Sequence, residues 1–128
     1  MIAKDLEDYK GFFPANPTPV FEGEGVREDA LRSILEYDIE NGAGGFWLAG
    51  TTGEGPILTE RQRRETAEIS SDVCKGRVKT IMHVGGITTE LSISGAIETI
   101  DQIYKLPFLI KIFFYNYFYW LSKKDKRK

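Results

Sequence analysis

Cysteine and histidine are almost absent from this sequence, which has one of each in 128 residues. Cys74 has no partner for an internal disulfide, and no second soft ligand stands near it to suggest a metal site. A reducing compartment suits this usage, and we expect Cys74 to be a small buried apolar group. His83 lies between apolar residues without a second His or Cys, so we expect a core histidine rather than a metal ligand.

Both common phosphate-binding signatures are missing. A Rossmann sheet carries G-x-G-x-x-G directly after its first strand, but EGEG and GAGG are followed here by no third glycine at the required position. The sequence also contains no G-x-x-x-x-G-K-[ST] loop. Nucleotide binding is therefore disfavoured.

The sequence lacks an obvious targeting or membrane segment. Its first ten residues, MIAKDLEDYK, include acids and no apolar core, unlike a secretory signal or an Arg-rich transit peptide. The apolar stretch LPFLIKIFFYNYFYWL has 16 residues and includes Lys111 and Asn116, whereas a membrane-spanning helix needs about 20 apolar residues. A membrane-surface anchor is the less favoured alternative, because no amphipathic period is evident. We expect a cytoplasmic protein without a membrane partner.

The charge is unevenly distributed along the chain. The net charge is −2, and five of the 17 basic residues fall in the last eight positions. Without those eight the chain has 12 basic and 18 acidic residues, so no affinity for nucleic acid is predicted. A hydrophobic content of 41% suits one modest core. We expect one domain over 1–120 and a basic tail over 121–128.

Four short β-forming runs recur about every thirty residues. They are GFFPA at 11–15, GFWLA at 45–49, TIMHV at 80–84 and LIKIFF at 109–114. Helical patterns fill the intervals at 27–41, 59–75 and 90–104. This β-α-β-α-β-α-β order predicts parallel strands with crossover helices. An open doubly wound sheet and a (β/α)8 barrel share that order, and periodicity does not separate them.

Local signals mark the ends and faces of these helices. Asn41-Gly42 is a typical end for the first helix, and Thr59 and Gln62 have capping-box spacing at the start of the second. Acidic and basic residues alternate along the second helix, which predicts a solvated face with paired charges. Its members are Glu60, Arg61, Arg63, Arg64, Glu65 and Glu68. The third helix has an apolar stripe of Ile93, Ala96, Ile97, Ile100 and Ile103.

The segment GTTGEGPILTERQR at 50–63 resembles the pyruvate-dependent lyase family that includes dihydrodipicolinate synthase and N-acetylneuraminate lyase. The segments ANPTPVFEGEGVREDALRSILEYDIENGAGGFW at 15–47 and KGRVKTIMHVGGITT at 75–89 share the resemblance, and MHVGGITT leans toward the sugar-acid lyase branch. The family fold is a (β/α)8 barrel of the class I aldolase type. The resemblance therefore implies an α/β fold, the N-terminal half of such a TIM barrel, with about four strands and three helices.

The resemblance also implies a chemistry and a set of binding residues. In this family the ketone of a 2-oxo acid, typically pyruvate, condenses with a lysine to form a Schiff base, without metal or organic cofactor. Thr51 and Thr52 match the residues that hold the substrate carboxylate, and Gly50 and Gly53 match the turn around them. Tyr115 lies near the family's interval from Thr52 for a tyrosine that reaches toward the site.

A whole barrel of this type needs about 250 residues, and the family's lysine lies on the sixth strand. We therefore expect this chain alone to be inactive, and we assign no catalytic residue. A half barrel has two open parallel edges, which predicts self-association or a homo-oligomer. The alternatives are a non-catalytic oligomerising or binding module and a truncated gene product without selected function. Glu54 is expected to be a hydrogen-bonded anchor of its loop.

Overall fold

The structure is a computed structural model that describes residues 9–86, 88–91, 93, 94, 97 and 110–113. Tyr115, the basic tail at 121–128 and most of the predicted third helix lie outside these residues. Two helices alternate with parallel strands along the described chain. In chain order they are α1 (Glu28–Glu40), β1 (Gly45–Leu48), a 3-10 turn (Gly55–Ile57), α2 (Glu60–Cys74), β2 (Lys79–His83) and β3 (Ile110–Phe113).

The three strands form one parallel sheet in the order β1-β2-β3. Phe46 pairs with Thr80 in the first ladder, and Thr80 pairs with Ile110 in the second. Sequential strands are neighbours in the sheet and run in the same direction, as the predicted crossover order requires.

The predicted first strand at 11–15 is reduced to a single parallel bridge between Ala15 and Trp47. The carbonyl of Phe12 accepts from the N–H of Gly44 at 2.9 Å, and that of Pro14 accepts from the N–H of Trp47 at 3.0 Å. The segment therefore runs beside β1. It donates less than a regular strand would, because Pro14 has no N–H.

Helix α1 ends where the sequence predicts. The N–H of Asn41 and its side-chain Nδ2 both donate to the carbonyl of Tyr37, at 3.1 and 2.7 Å. Gly42 follows at φ +90°, a left-handed conformation that glycine adopts without a Cβ penalty.

Helix α2 begins with the predicted capping box. The Thr59 hydroxyl accepts from the N–H of Gln62 at 3.2 Å, and Gln62 Oε1 accepts from the N–H of Thr59 at 2.9 Å. Gln62 also donates from Nε2 to the carbonyl of Glu24 at 2.7 Å, so the cap fixes the start of the helix to the loop before α1.

The hydrophobic core lies between one face of the sheet and the two helices. Phe46 and Leu48 of β1 and Met82 of β2 point to this face and are buried. Leu31 and Leu35 of α1 meet them in the same cluster, and both are fully buried. The apolar stripe of α1 therefore packs as its periodicity predicts.

The opposite face of the sheet is incompletely covered. Trp47, Ile81 and His83 alternate with the core residues along β1 and β2, and each is half-buried. Near the amino end of β1, the Phe13 ring lies against Gly45 and stacks with Tyr9 at a centroid distance of 6.1 Å. In a closed barrel this face would point to the interior.

The start of the third helix is the last part of the helical pattern that the structure describes. Residues 89–91, 93, 94 and 97 are helical. Ile93 and Ile97, two members of the predicted apolar stripe, are 45% and 62% exposed. Both side chains thus keep much of their apolar surface in water. Within the described residues, no helix is long and apolar enough to span a membrane.

Candidate functional site

The loop after β1 turns through two residues with left-handed backbone. Ala49 has φ 51° and Glu54 has φ 54°, a conformation that is uncommon for residues other than glycine. Gly50, Gly53 and Gly55 of the same loop are not among the residues with positive φ. Backbone strain of this kind is concentrated at functional sites.

The glycines of the loop instead permit close backbone approach. A Cβ on Gly53 would lie 2.9 Å from the nitrogen of Ala49 and 3.1 Å from the carbonyl oxygen of Asn16. A Cβ on Gly55 would lie 1.8 Å from the carbonyl oxygen of Ala49. The loop is thus packed so tightly against its own start that these positions accept no side chain.

Hydrogen bonds close the loop on itself. The N–H of Gly55 donates to the carbonyl of Gly50 at 3.0 Å, and the N–H of Glu54 donates to the carbonyl of Thr51 at 3.1 Å. These two bonds fold residues 50–55 into a compact turn. Glu54 anchors it through its backbone, whereas its carboxylate is exposed and has no hydrogen bond or ion pair within the described chain.

Two side chains from other elements fix the turn to its surroundings. The Thr18 hydroxyl donates to the carbonyl of Gly53 at 2.8 Å in a buried position. Arg63 of α2 donates from Nη2 to the carbonyl of Gly55, and its Nη1 lies 3.5 Å from the carbonyl of Gly85 after β2. The turn is therefore held by the segment before α1 and by α2.

Thr51 and Thr52 lie at the outer side of this turn, and both are exposed. Their hydroxyls and backbone N–H groups donate to no other group in the part of the chain that the structure describes. Gly50 and Gly53 are buried on either side of them. The four sequence-predicted turn residues are therefore together, and Tyr115 lies outside the described residues.

His83 ends β2 on the half-covered face of the sheet. Burial lowers the pKa of its imidazole, and the positive charge of Arg63 lowers it further. The ring is therefore neutral at pH 7. Its Nδ1 is buried without a hydrogen-bond partner in the described chain, and its Cε1 and Nε2 lie against Gly85.

The one cysteine is not poised for nucleophilic chemistry. Cys74 is buried at the end of α2, and burial raises the pKa of its thiol to about 12. This environment confirms the expected small buried apolar group. Among the described residues, no three His, Cys, Asp or Glu side chains are grouped to hold a metal ion.

The sequence interpretation missed the roles of Thr18 and Arg63. Arg63 was predicted to lie on a solvated helix face, and the structure corrects this because its half-buried guanidinium contacts loop carbonyls. Arg61 and Arg64 do behave as predicted and pair with Glu65 and Glu60 four residues away. Charge alternation alone could not distinguish these three arginines.

Comparison with known proteins gives a consistent assignment. The profile of the Dihydrodipicolinate synthetase family matches residues 8–104. A 4-hydroxy-tetrahydrodipicolinate synthase from Salinibacter ruber is 32% identical over 93 residues, which are 73% of this chain and 31% of that protein. An N-acetylneuraminate lyase from Citrobacter koseri is 34% identical over 91 residues, 71% of this chain and 30% of that protein.

Solved structures agree with the fold. A crystal structure of dihydrodipicolinate synthase superposes with a TM-score of 0.65 at 37% identity, covering 72% of this chain and 32% of that one. An N-acetylneuraminate lyase from Mycoplasma synoviae has a TM-score of 0.67 at 22% identity, covering 87% of this chain and 39% of that one, and supports the fold alone. The N-terminal part of a (β/α)8 barrel is thereby confirmed. The chain spans about a third of the length of these relatives.

Proposed function

Because the chain belongs to the dihydrodipicolinate synthetase family of lyases and synthases, we propose that its Thr51–Gly53 turn binds the carboxylate of a small 2-oxo acid such as pyruvate. The observation that carries the proposal is the turn itself. Buried contacts hold it in place, while the hydroxyls and N–H groups of Thr51 and Thr52 face outward.

This arrangement suits an anion for simple electrostatic reasons. Hydroxyl and amide donors accept a carboxylate without adding charge, and a turn that is already fixed loses little conformational entropy on binding. The turn follows β1 at the carboxyl end of the sheet. In (β/α)8 barrels the loops at this end form the active site.

The reaction class that we propose is carbon–carbon bond formation or cleavage through a Schiff base, by analogy with the family. A lysine amine attacks the ketone carbon, water leaves, and the protonated imine withdraws electrons from the adjacent carbon. The lysines that the structure describes are Lys10, Lys75, Lys79 and Lys111, and Lys111 pairs with Ile81 where β3 lies beside β2. Lys79 begins β2, and Lys10 contacts the start of β1 through its carbonyl, at the end of the strands away from the turn.

We therefore propose that these 128 residues bind the 2-oxo acid without completing the covalent step. A catalytic lysine needs a pocket that lowers its pKa. Lys10 and Lys79 lie at the amino end of the strands, away from a carboxylate held at the carboxyl end. Lys111 lies on β3, whereas the family's Schiff-base lysine lies on a sixth strand. We thus expect this chain to bind the 2-oxo acid without forming a covalent bond to it.

An NMR titration of the full chain with pyruvate tests the binding proposal. Pyruvate should shift the amide signals of Thr51, Thr52 and Gly53, and propionate should shift the same signals, whereas acetone, which lacks the carboxylate, should not. A Thr51→Val/Thr52→Val variant should bind about tenfold more weakly, because two hydrogen bonds contribute about 0.5–1.5 kcal/mol each. Thr89→Val, at an exposed threonine outside the turn, is the matched control.

Two results would contradict the proposal. Pyruvate shifts that lie elsewhere in the chain would place the anion at another site. Equal affinity in the double valine variant and the wild type would show that the two hydroxyls take no part.

A non-catalytic oligomerising module is the second candidate, and the half-covered sheet face favours it. Trp47 and Ile81 keep part of their apolar surface in water. Ile93 and Ile97, in the helical segment that follows β2, also expose apolar surface. Burying that surface against a second copy would gain about 25 cal/mol per Å². Light scattering over a range of protein concentrations should show a dimer or larger species, and a monomer at every concentration would exclude this candidate.

A further inference from the structure

We propose that Arg63 is a positioning residue for the carboxylate turn, where it clamps the loop after β1 to the loop after β2. This inference rests on the proposed function, because the turn matters only if it binds an anion. Arg63 donates to the backbone carbonyls of Gly55 and Gly85, so we expect its effect to pass through the loop backbone.

The contacts of Arg63 join the loop after β1 to the loop after β2. Its Nη2 donates to the carbonyl of Gly55, and its Nη1 approaches the carbonyl of Gly85 at 3.5 Å. Gly55 closes the turn through its N–H bond to Gly50. Fixing the Gly55 carbonyl therefore fixes the peptide group that completes the turn.

The chemistry of the side chain fits this role. A guanidinium presents several N–H donors in one rigid plane and can reach two carbonyls at once, whereas a lysine presents one rotating point charge. The neighbouring Arg64 shows the contrast, because among the described residues its Nη2 pairs with the exposed carboxylate of Glu60, at 3.4 Å. Two arginines that are adjacent in sequence thus have different surroundings.

The starting position of the side chain is also fixed. Arg63 lies in the first turn of α2, and its N–H donates to the carbonyl of Thr59 at 3.0 Å. The capping box holds Thr59 and Gln62 at the same point. The clamp is thereby anchored to the capped end of the helix.

His83 supplies a separate indication of where the charge lies. Arg63 contributes to the lowered pKa of the His83 imidazole, so its guanidinium is close enough to act on a group of β2. A positive charge at the carboxyl end of β1 and β2 also favours the approach of an anion.

The experiment compares three full-length variants, Arg63→Gln, Arg63→Lys and the control Arg64→Gln, after thermal unfolding has confirmed that each is folded. Amide exchange at Gly55 reports the turn without ligand, and the NMR titration reports pyruvate affinity. In Arg63→Gln we expect Gly55 to exchange about tenfold faster and pyruvate to bind about tenfold more weakly, as for the loss of one charged hydrogen bond. Arg63→Lys should show most of the same faster exchange and weaker binding, because lysine keeps the charge but lacks the planar set of donors.

Arg64→Gln should leave both measurements at wild-type values. The titration of His83 reports the charge of Arg63: its pKa should rise in Arg63→Gln, rise less in Arg63→Lys, which keeps the positive charge, and stay unchanged in Arg64→Gln. In an Arg63→Ala variant, added methylguanidinium should restore the slow exchange of Gly55.

The outcomes separate this inference from the proposed function. If the wild type binds no pyruvate, the proposed function is wrong, and the exchange of Gly55 alone decides whether Arg63 positions the turn. If Arg63→Gln keeps the wild-type exchange rate at Gly55, the positioning role is overturned. Equal losses in Arg63→Gln and Arg64→Gln would also overturn it, since net charge would then explain the effect.

Discussion

The turn after β1 and the half-covered face of the sheet differ in how completely the described residues pack against them. The turn draws its partners from positions 16–63 and has buried contacts on several sides. The sheet face carries Trp47, Ile81 and His83, and each remains half-buried. The two regions lie next to each other on the same strands.

The two regions differ because the contacts of the turn come from residues close to it in sequence, whereas the contacts of the sheet face come from several strands. A turn is a local object, and one threonine and one arginine are enough to fix it. The interior of a (β/α)8 barrel is filled by side chains from alternate strands around the whole ring. Residues 16–63 are therefore enough to hold the turn, whereas filling the interior of a barrel requires side chains from more strands.

The largest expected effect comes from removing side chains on the two faces of the sheet. Phe46→Ala should reduce the free energy of unfolding by about 3–5 kcal/mol, because Phe46 is fully buried. Ile81→Ala should cost about 1–2 kcal/mol, since its half-buried side chain already meets water. Urea denaturation measures both. An equal loss of unfolding free energy in the two variants would mean that the half-covered face of the sheet is buried in solution.

The next effect tests the close packing of the turn. Gly55→Ala should cost about 2–3 kcal/mol, because the new Cβ would lie 1.8 Å from the carbonyl oxygen of Ala49 and force the backbone to move. Gly23→Ala, at φ +69° in open space, should cost only about 1–2 kcal/mol from backbone strain. Chemical denaturation of the two variants side by side gives the comparison. A tolerated Gly55→Ala would contradict the tight turn.

A smaller effect is expected from one buried hydrogen bond. Thr18→Val keeps the shape of the side chain and leaves the carbonyl of Gly53 without its donor at 2.8 Å, which should cost about 1–3 kcal/mol. Thr51→Val should change stability by less than about 0.5 kcal/mol, because the Thr51 hydroxyl donates to no group in the described chain. Thermal unfolding with matched calorimetry tests the pair, and reversed magnitudes would refute the assignment of their roles.

The smallest effect concerns the loss of stability at low pH through one carboxyl group, that of Glu65 on α2. The N–H of Val26, at 2.7 Å, and then Arg61 lower the pKa of the Glu65 carboxyl. Its stabilisation is therefore present above the unfolded pKa and is lost as the pH falls through the lower folded pKa. We expect about 1 kcal/mol or less for this partly exposed pair, measured as unfolding free energy between pH 7 and 3. Glu65→Gln should remove that part of the pH dependence.

Much of the fold follows from local sequence signals. The capping box at Thr59 and the left-handed Gly42 fix the helix ends. The β run predicted at 80–84 is observed at Lys79–His83, shifted by one residue. The first strand was overestimated, because its β-forming residues are interrupted by a proline that cannot donate to a ladder.

The site was predicted less completely. The glycine-rich motif is specific enough to place Thr51 and Thr52 together in one turn, and their binding role stays a prediction. The positive φ of Ala49 and Glu54 could not be predicted, because close packing against Gly53 and Gly55 determines it, not the residues' own preference. The role of Arg63 depends on where two separate loops meet, and charge spacing along one helix carries no information about that.

Borohydride reduction of the full chain with pyruvate, followed by intact mass measurement, tests the central claim most directly. The account predicts that pyruvate shifts the Thr51 and Thr52 amides while the mass of the reduced protein stays unchanged, because the turn is proposed to bind the carboxylate without a Schiff-base lysine beside it. A stable mass increase corresponding to one reduced pyruvate, located on a single lysine, would contradict it.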